Sequence, residues 1–261
     1  MMDAIEKSKP HELSNIKRVV AVMSGKGGVG KSTVTALAAV EARRRGLHTG
    51  ILDADITGPS IPSLFGVKQG DVSDAGVGLL PAKTPNGIQI MSINLLLEHE
   101  TDPVIWRGPL IGNAIKQFYT EVIWKDIDLL LVDLPPGTGD APLSVMQSLP
   151  LDGVIVVSSP QDMAVLVVEK AIKMAGMMQI PILGLVENMS GIVCPHCHQS
   201  FNIFGASQGA AVAGKHGIKW LGALPVDPQL AGMDGHIEDY QSPAAETLSQ
   251  LGDAVCGGSN S

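Results

Sequence analysis

Aromatic residues are scarce: Phe, Tyr and Trp make up 3% of the 261 residues. A core must therefore be built from Val, Ile, Leu, Ala and Met, which suits strands buried on both faces of a parallel sheet. Cysteine is scarcer still, with three in all, so no disulfide framework holds the fold. No apolar run reaches the roughly 18 residues that span a bilayer. The opening MMDAIEKSKPHELSNIKR has no apolar stretch of the kind a secretory signal needs. The cytoplasm is the expected compartment. Positive charge is also short: 18 Lys and Arg face 26 Asp and Glu, for a net charge of −8. Nucleic acid is an unlikely partner for such a chain, because non-specific binding is driven by phosphate neutralisation. An anionic membrane surface is disfavoured on the same ground.

Apolar runs alternate with helical patterns along the chain. Strands are expected at 18–25, 48–55, 87–97, 128–136, 152–160, 181–189 and 218–227, and helices at 31–45, 108–124, 162–178 and 243–256. Such alternation predicts an α/β fold, a mainly parallel twisted sheet with helices on both faces. The expected organisation is a flexible arm over 1–16, one domain over 17–256 and a flexible tail over 257–261. Residues 68–86, rich in Gly, Asp and Pro, are expected to be irregular.

The strongest motif is SGKGGVGKST, residues 24–33, in which Gly25, Gly30, Lys31 and Ser32 satisfy GxxxxGK[ST] between an expected strand and an expected helix. Glycines let successive backbone N–H groups face a phosphate, and a helix N-terminus adds positive potential. The motif predicts ATP held by Gly25, Lys26, Gly27, Gly28, Val29, Gly30, Lys31, Ser32 and Thr33. Lys31 would reach the β- and γ-phosphates and Ser32 would ligate Mg²⁺. In LLLVDLPPGTGD an apolar strand delivers Asp133, a Walker B position able to hold Mg²⁺ directly or through water. Gly137 and Gly139 after it suit a switch loop.

The early lysine makes GKGGVGK resemble the deviant Walker A loop of the ParA, MinD and nitrogenase iron protein group. That resemblance implies a homodimer in which Lys26 reaches the partner's nucleotide and acts as a catalytic lysine in trans. It also implies that LDADITGPS is switch I, with Asp55 orienting the attacking water and Asp53 near the metal. Asn188 would recognise adenine, beside a loop around Pro225 and Asp227. The catalytic set implied is Lys26, Lys31 and Asp55.

Cys194 and Cys197 form CxxC in VCPHCHQS, within a loop expected at 190–200. A redox pair, a zinc site using His196 or His198, and an inert pair are all compatible with the residues. A two-fold dimer would double the pair to four thiolates, which suits a [4Fe–4S] cluster. MSGKGGVGKSTV, DADITGPSIP, VIWRGP, VDLPPGTGD and VENMSGIVCPHC, in this order, resemble the Mrp/ApbC group of iron–sulfur carrier ATPases from about residue 17 to about 250. The resemblance implies a dimeric ATPase that passes a labile cluster to recipient apo iron–sulfur proteins. It assigns no chemistry to Trp106 or Arg107, and Cys256 has no visible partner.

The chief rival is a ParA- or MinD-like partition or positioning ATPase with a zinc-binding CxxC dimer site. A MinD-like protein wants a basic amphipathic C-terminal helix, yet residues 241–261 contain no Lys or Arg. A ParA-like protein wants a basic patch. A nitrogenase-type reductase wants cysteines near its switches, and none occurs before Cys194.

Overall fold

The computed structural model describes residues 7–55, 60–96, 108–161, 166–193, 196–197 and 199–257. At its centre is an eight-stranded sheet. Its strands, in chain order, are β1 (Val19–Ser24), β2 (Thr49–Asp53), β3 (Ala82–Lys83), β4 (Gln89–Ser92), β5 (Leu129–Asp133), β6 (Gly153–Ser158), β7 (Ile182–Asn188) and β8 (Trp220–Leu224). Their spatial order is β8-β7-β6-β1-β5-β2-β4-β3. Every neighbouring pair is parallel except β3 with β4 at the edge. The expected α/β class is what forms.

The low aromatic content is met by alternation. Val19, Ala21 and Met23 of β1 join one apolar cluster, and Val20 and Val22 join the other. The first cluster is covered by helices Gly108–Glu121, Asp140–Ser148 and Leu166–Met177, through Ile115, Val145 and Ala171 among others. The second is covered by α1 (Lys31–Arg44) and the C-terminal helix Ala245–Cys256, through Val34, Leu37, Leu248 and Leu251. Because side chains alternate along a strand, helices on both faces bury both sets.

The structure departs from the sequence reading in several places, among them these. The strand expected over 87–97 ends at Ser92, whose side chain caps a short 3₁₀ turn, Ile93–Leu95, by accepting from Asn94 N–H. The irregular stretch 68–86 includes the antiparallel pair Ser73–Asp74 and Leu79–Leu80, as well as edge strand β3. Helices Asp140–Ser148 and Gly209–His216 were not anticipated. Finally, residues 7–16 of the expected arm are docked. Asn15–Ile16 pairs with Asp126–Ile127, and Lys7 Nζ donates to the Met146 and Gln147 carbonyls at 2.9 and 3.1 Å. A cation there meets the carbonyl end of helix Asp140–Ser148. Residues 1–6 and 258–261 lie outside the described residues.

Candidate functional site: a phosphate cradle at the strand ends

The parallel register aligns three strand ends. Asp133 pairs across with Val22 on one side and with Asp53 on the other. The glycine-rich loop leaves β1 directly above them and enters α1. Gly28 and Gly30 have φ of 81° and 76°, the left-handed region where a side chain is strained. Space is as restrictive as torsion. A Cβ on Gly30 would lie 2.2 Å from Asn188 Nδ2, and one on Gly25 would lie 2.1 Å from Val167 Cγ1. The loop bounds a cavity of about 310 Å³ lined by Gly27, Gly28, Gly30, Lys31, Ser32 and Asp55 among others. The first turn of α1 carries no acidic residue of its own. Its N–H groups therefore present positive potential to an anion.

Lys31 is buried, with its Nζ 2.8 Å from Asp133 Oδ2 and 3.4 Å from Asp55 Oδ2. Ser32 Oγ donates to Asp133 Oδ2 at 2.5 Å and Thr35 Oγ1 to Asp133 Oδ1 at 2.6 Å. Asp53 accepts from Ser92 Oγ at 2.9 Å and from the Asp55 N–H at 3.1 Å. Burial, and then the neighbouring Asp133 carboxylate, push the Asp53 pKa well above the ordinary carboxylate value. Two buried carboxylates at one strand edge favour a cation between phosphate and protein. Among the described residues no cluster of three His, Cys, Asp or Glu side chains could hold a metal alone.

The raised Asp53 value has a consequence for stability. Between the unfolded value, 3.8, and the raised folded one, the native state holds a proton that the unfolded chain has lost. Unfolding free energy of the nucleotide-free protein should therefore fall as pH rises through that window. Asp53→Asn should flatten this decline, which denaturant titrations at stepped pH will measure.

A second cavity, about 500 Å³, adjoins the first through Thr33 and Met189. Asn188, Pro225 and Asp227 all line it, with Leu64, Ile203 and Phe204. The polar atoms of Asn188 and Asp227 also have partners within the chain. Asn188 Nδ2 donates to the Val29 carbonyl at 2.9 Å. Asp227 accepts from Gln229 N–H at 2.9 Å and Tyr240 Oη at 2.7 Å. Lys26 sits in the loop, its carbonyl accepting from Ser24 Oγ at 2.8 Å.

After Asn188 the chain forms a hairpin, Ile192–Val193 against Ser200–Phe201, with His196 and Cys197 exposed at its turn. Cys194 and His198 lie outside the described residues, as do Trp106 and Arg107. Cys256 is half-buried in the C-terminal helix, where burial pushes its thiol pKa up. Thr35 and Ser92, which complete the carboxylate network, were missed by sequence reasoning. Thr35 was findable, since it lies one helical turn beyond Lys31 and Ser32; Ser92 needed the β2–β4 register.

A parallel sheet whose central strand feeds a glycine cradle and a buried lysine, with acidic neighbours at the strand ends, defines a P-loop NTPase. The chain matches the family described as ParA, the NUBPL iron-transfer P-loop NTPases, over residues 15–256. It belongs to that family. An iron-sulfur cluster carrier protein of Methanocaldococcus jannaschii is 48% identical over 216 residues, 82% of this chain and 74% of that one. A cytosolic Fe-S cluster assembly factor Nubp2 homolog of Drosophila ananassae is 43% identical over 249 residues, 92% of this chain and 95% of that one. Among solved structures, a nucleotide-binding protein from Archaeoglobus fulgidus in complex with ADP is 45% identical with a TM-score of 0.78. The match covers 87% of this chain and 89% of that one.

Proposed function

We propose that this protein is a homodimeric, cytoplasmic ATPase that binds a [4Fe–4S] cluster as cargo between two copies and passes it to recipient apo iron–sulfur proteins. The observation that carries this reading is the hairpin bearing Cys197. It leaves β7 directly after Asn188, the residue whose side chain holds the phosphate loop. A cargo held at this hairpin and a nucleotide held at the loop would thus share one strand end. The names of the relatives from M. jannaschii and Drosophila support the same cargo.

The chain's residues divide the work. The N–H groups from Gly25 to Thr33 hold the phosphates, and Lys31 stabilises negative charge as it develops on the transferred phosphoryl group. Asp55 orients a water for in-line attack on the γ-phosphorus. A new P–O bond forms to that water, and the bond to the ADP oxygen breaks. The partner's Lys26 adds positive charge at the same centre. Ser32, with Asp53 and Asp133 directly or through water, would hold Mg²⁺, which neutralises phosphate charge when bound. Asn188, Pro225 and Asp227 border the adenine.

Anaerobic reconstitution with iron and sulfide, followed by metal analysis and sedimentation, tests the cargo. About four iron and four sulfide per dimer are expected. Zinc retained through anaerobic purification, with no iron uptake, would replace the carrier by a zinc-bridged positioning ATPase.

A further inference from the structure

The cavity beside the phosphate cradle has an apolar wall that the nucleotide site as described leaves unused. Ile203 and Phe204 line it together with Leu64 and Met189. Both lie within three residues after the second strand of the cysteine hairpin, Ser200–Phe201. Both are also exposed, at 47% and 37%, on a chain with few aromatic residues to spend on its surface. An exposed Phe at the mouth of a cavity adjoining a phosphate cradle has the chemistry to take a planar heteroaromatic base on its face.

The hairpin is tied into the same site at both ends. Where it begins, Ser190 N–H donates to the Leu224 carbonyl at 3.0 Å. The Gly191 carbonyl accepts from Val226 N–H at 2.7 Å, within the loop that borders the cavity. Where its segment ends, Glu187 Oε2 accepts from the Gln208 and Gly209 N–H groups at 3.3 and 3.1 Å, at the start of helix Gly209–His216. Glu187 and Asn188 are consecutive. One anchors the far end of the hairpin segment and the other anchors the phosphate loop.

We propose that Ile203 and Phe204 form the nucleobase-contacting wall, and that nucleotide occupancy thereby fixes the hairpin that carries Cys194 and Cys197. This rests on the nucleotide-site reading above and deepens it. The nucleotide is the effector and the cysteine hairpin the responding element, with contact through two side chains rather than through distant motion. Linkage makes the coupling reciprocal: whatever occupies the cysteines changes nucleotide affinity by the same factor.

The test uses full-length, metal-free protein with MgADP as the probe. Calorimetry gives affinity, and hydrogen exchange at saturating MgADP follows the peptides over 190–208. In wild type, MgADP should slow exchange over 199–208 by about fivefold or more. Phe204→Ala should weaken MgADP by about tenfold, the scale of losing one base–aromatic contact, and should abolish the slowing even when saturated. Phe204→Tyr should restore both. Ile203→Ala should show the same loss in milder form, and it serves as the second variant should Phe204→Ala fold poorly. Equal affinity and equal slowing in wild type, Phe204→Ala and Ile203→Ala would overturn the proposal while leaving the nucleotide site intact. So would slowing no greater over 199–208 than over helix Ala245–Cys256, since that reports general tightening. If wild type binds no MgADP, both the proposal and the nucleotide-site reading fall. Iron and sulfide are absent throughout, so the result does not depend on the cargo.

Discussion

Lys31→Ala should lower ATP turnover by about a thousandfold, the loss expected when a preorganised donor to a developing charge is removed from a water-poor site. The geometry argues for a larger effect than a solvated lysine would give. The Lys31 side chain is 5% exposed, with Nζ 2.8 Å from Asp133 and 3.4 Å from Asp55. Its charge is already held where a phosphate in the cradle would compete for it. Removing it also leaves Asp133, itself fully buried, without its counter-charge. Breaking a buried pair from one side costs roughly 3–5 kcal/mol, so the variant should unfold more easily as well. Turnover alone could then be lost through folding, and a mixed dimer separates the causes. A Lys26→Ala copy keeps its own Lys31 and receives Lys26 from a Lys31→Ala partner, which completes one of the two sites. Mixing two inactive variants in equal amounts should therefore restore up to about a quarter of wild-type turnover, if copies exchange freely in a two-fold dimer. Unchanged turnover in Lys31→Ala would mean that the phosphate loop has been misread. No recovery on mixing, with Lys31→Ala shown folded by circular dichroism and dimeric by sedimentation, would place Lys26 outside the partner's site.

The central sheet was legible because its strands are short apolar runs cut off by acidic or glycine-rich turns. LLLVD and GILD end on Asp133 and Asp53, which are buried at the strand ends and held by partners from α1 and β4. The apolar run located Asp133, the resemblance implied the role of Asp53, and the glycine motif located Lys31 and Ser32. What sets Asp53 in place was not legible. Its Ser92 partner comes from a strand 39 residues away, and only the β2–β4 register brings the two together. The helix Gly209–His216 escaped for a different reason. GAAVAGKH is short and weakly amphipathic, with glycines that lower helix propensity. It forms because Glu187 satisfies its first N–H groups and because Gly209 lets Trp220 pack against it; a Cβ there would meet the indole at 2.2 Å.

The base side of the site shows the same limit. Asn188, Pro225 and Asp227 do line one cavity, as the resemblance implied. Their polar atoms also have work inside the chain: Asn188 donates to the Val29 carbonyl, and Asp227 accepts from Tyr240. A sequence pattern can place a residue at a strand end, but it cannot say which partner its side chain has found. Ile203 and Phe204 carried no motif at all. Only the return of the hairpin puts them beside residues of α1 and β7.

Cys194→Ala and Cys197→Ala should each remove essentially all bound cluster, the second large effect. A [4Fe–4S] cluster takes four thiolates, and one chain offers only three cysteines. The third cannot substitute. Cys256 lies half-buried in the C-terminal helix, not on the hairpin turn that carries Cys197. Cys197 is exposed at the hairpin turn, where a second copy could meet it. A dimer of either single variant retains two thiolates in place of four. Iron and sulfide per dimer after anaerobic reconstitution should therefore fall to background in both variants and stay at the wild-type level in Cys256→Ala. Full cluster binding by both single variants would sink the bridged site. ATP turnover of the cluster-free variants should stay within about threefold of cluster-free wild type, because neither cysteine belongs to the cradle that performs phosphoryl transfer. Turnover lost along with the cluster would instead make the cysteines part of the fold on which the P-loop depends.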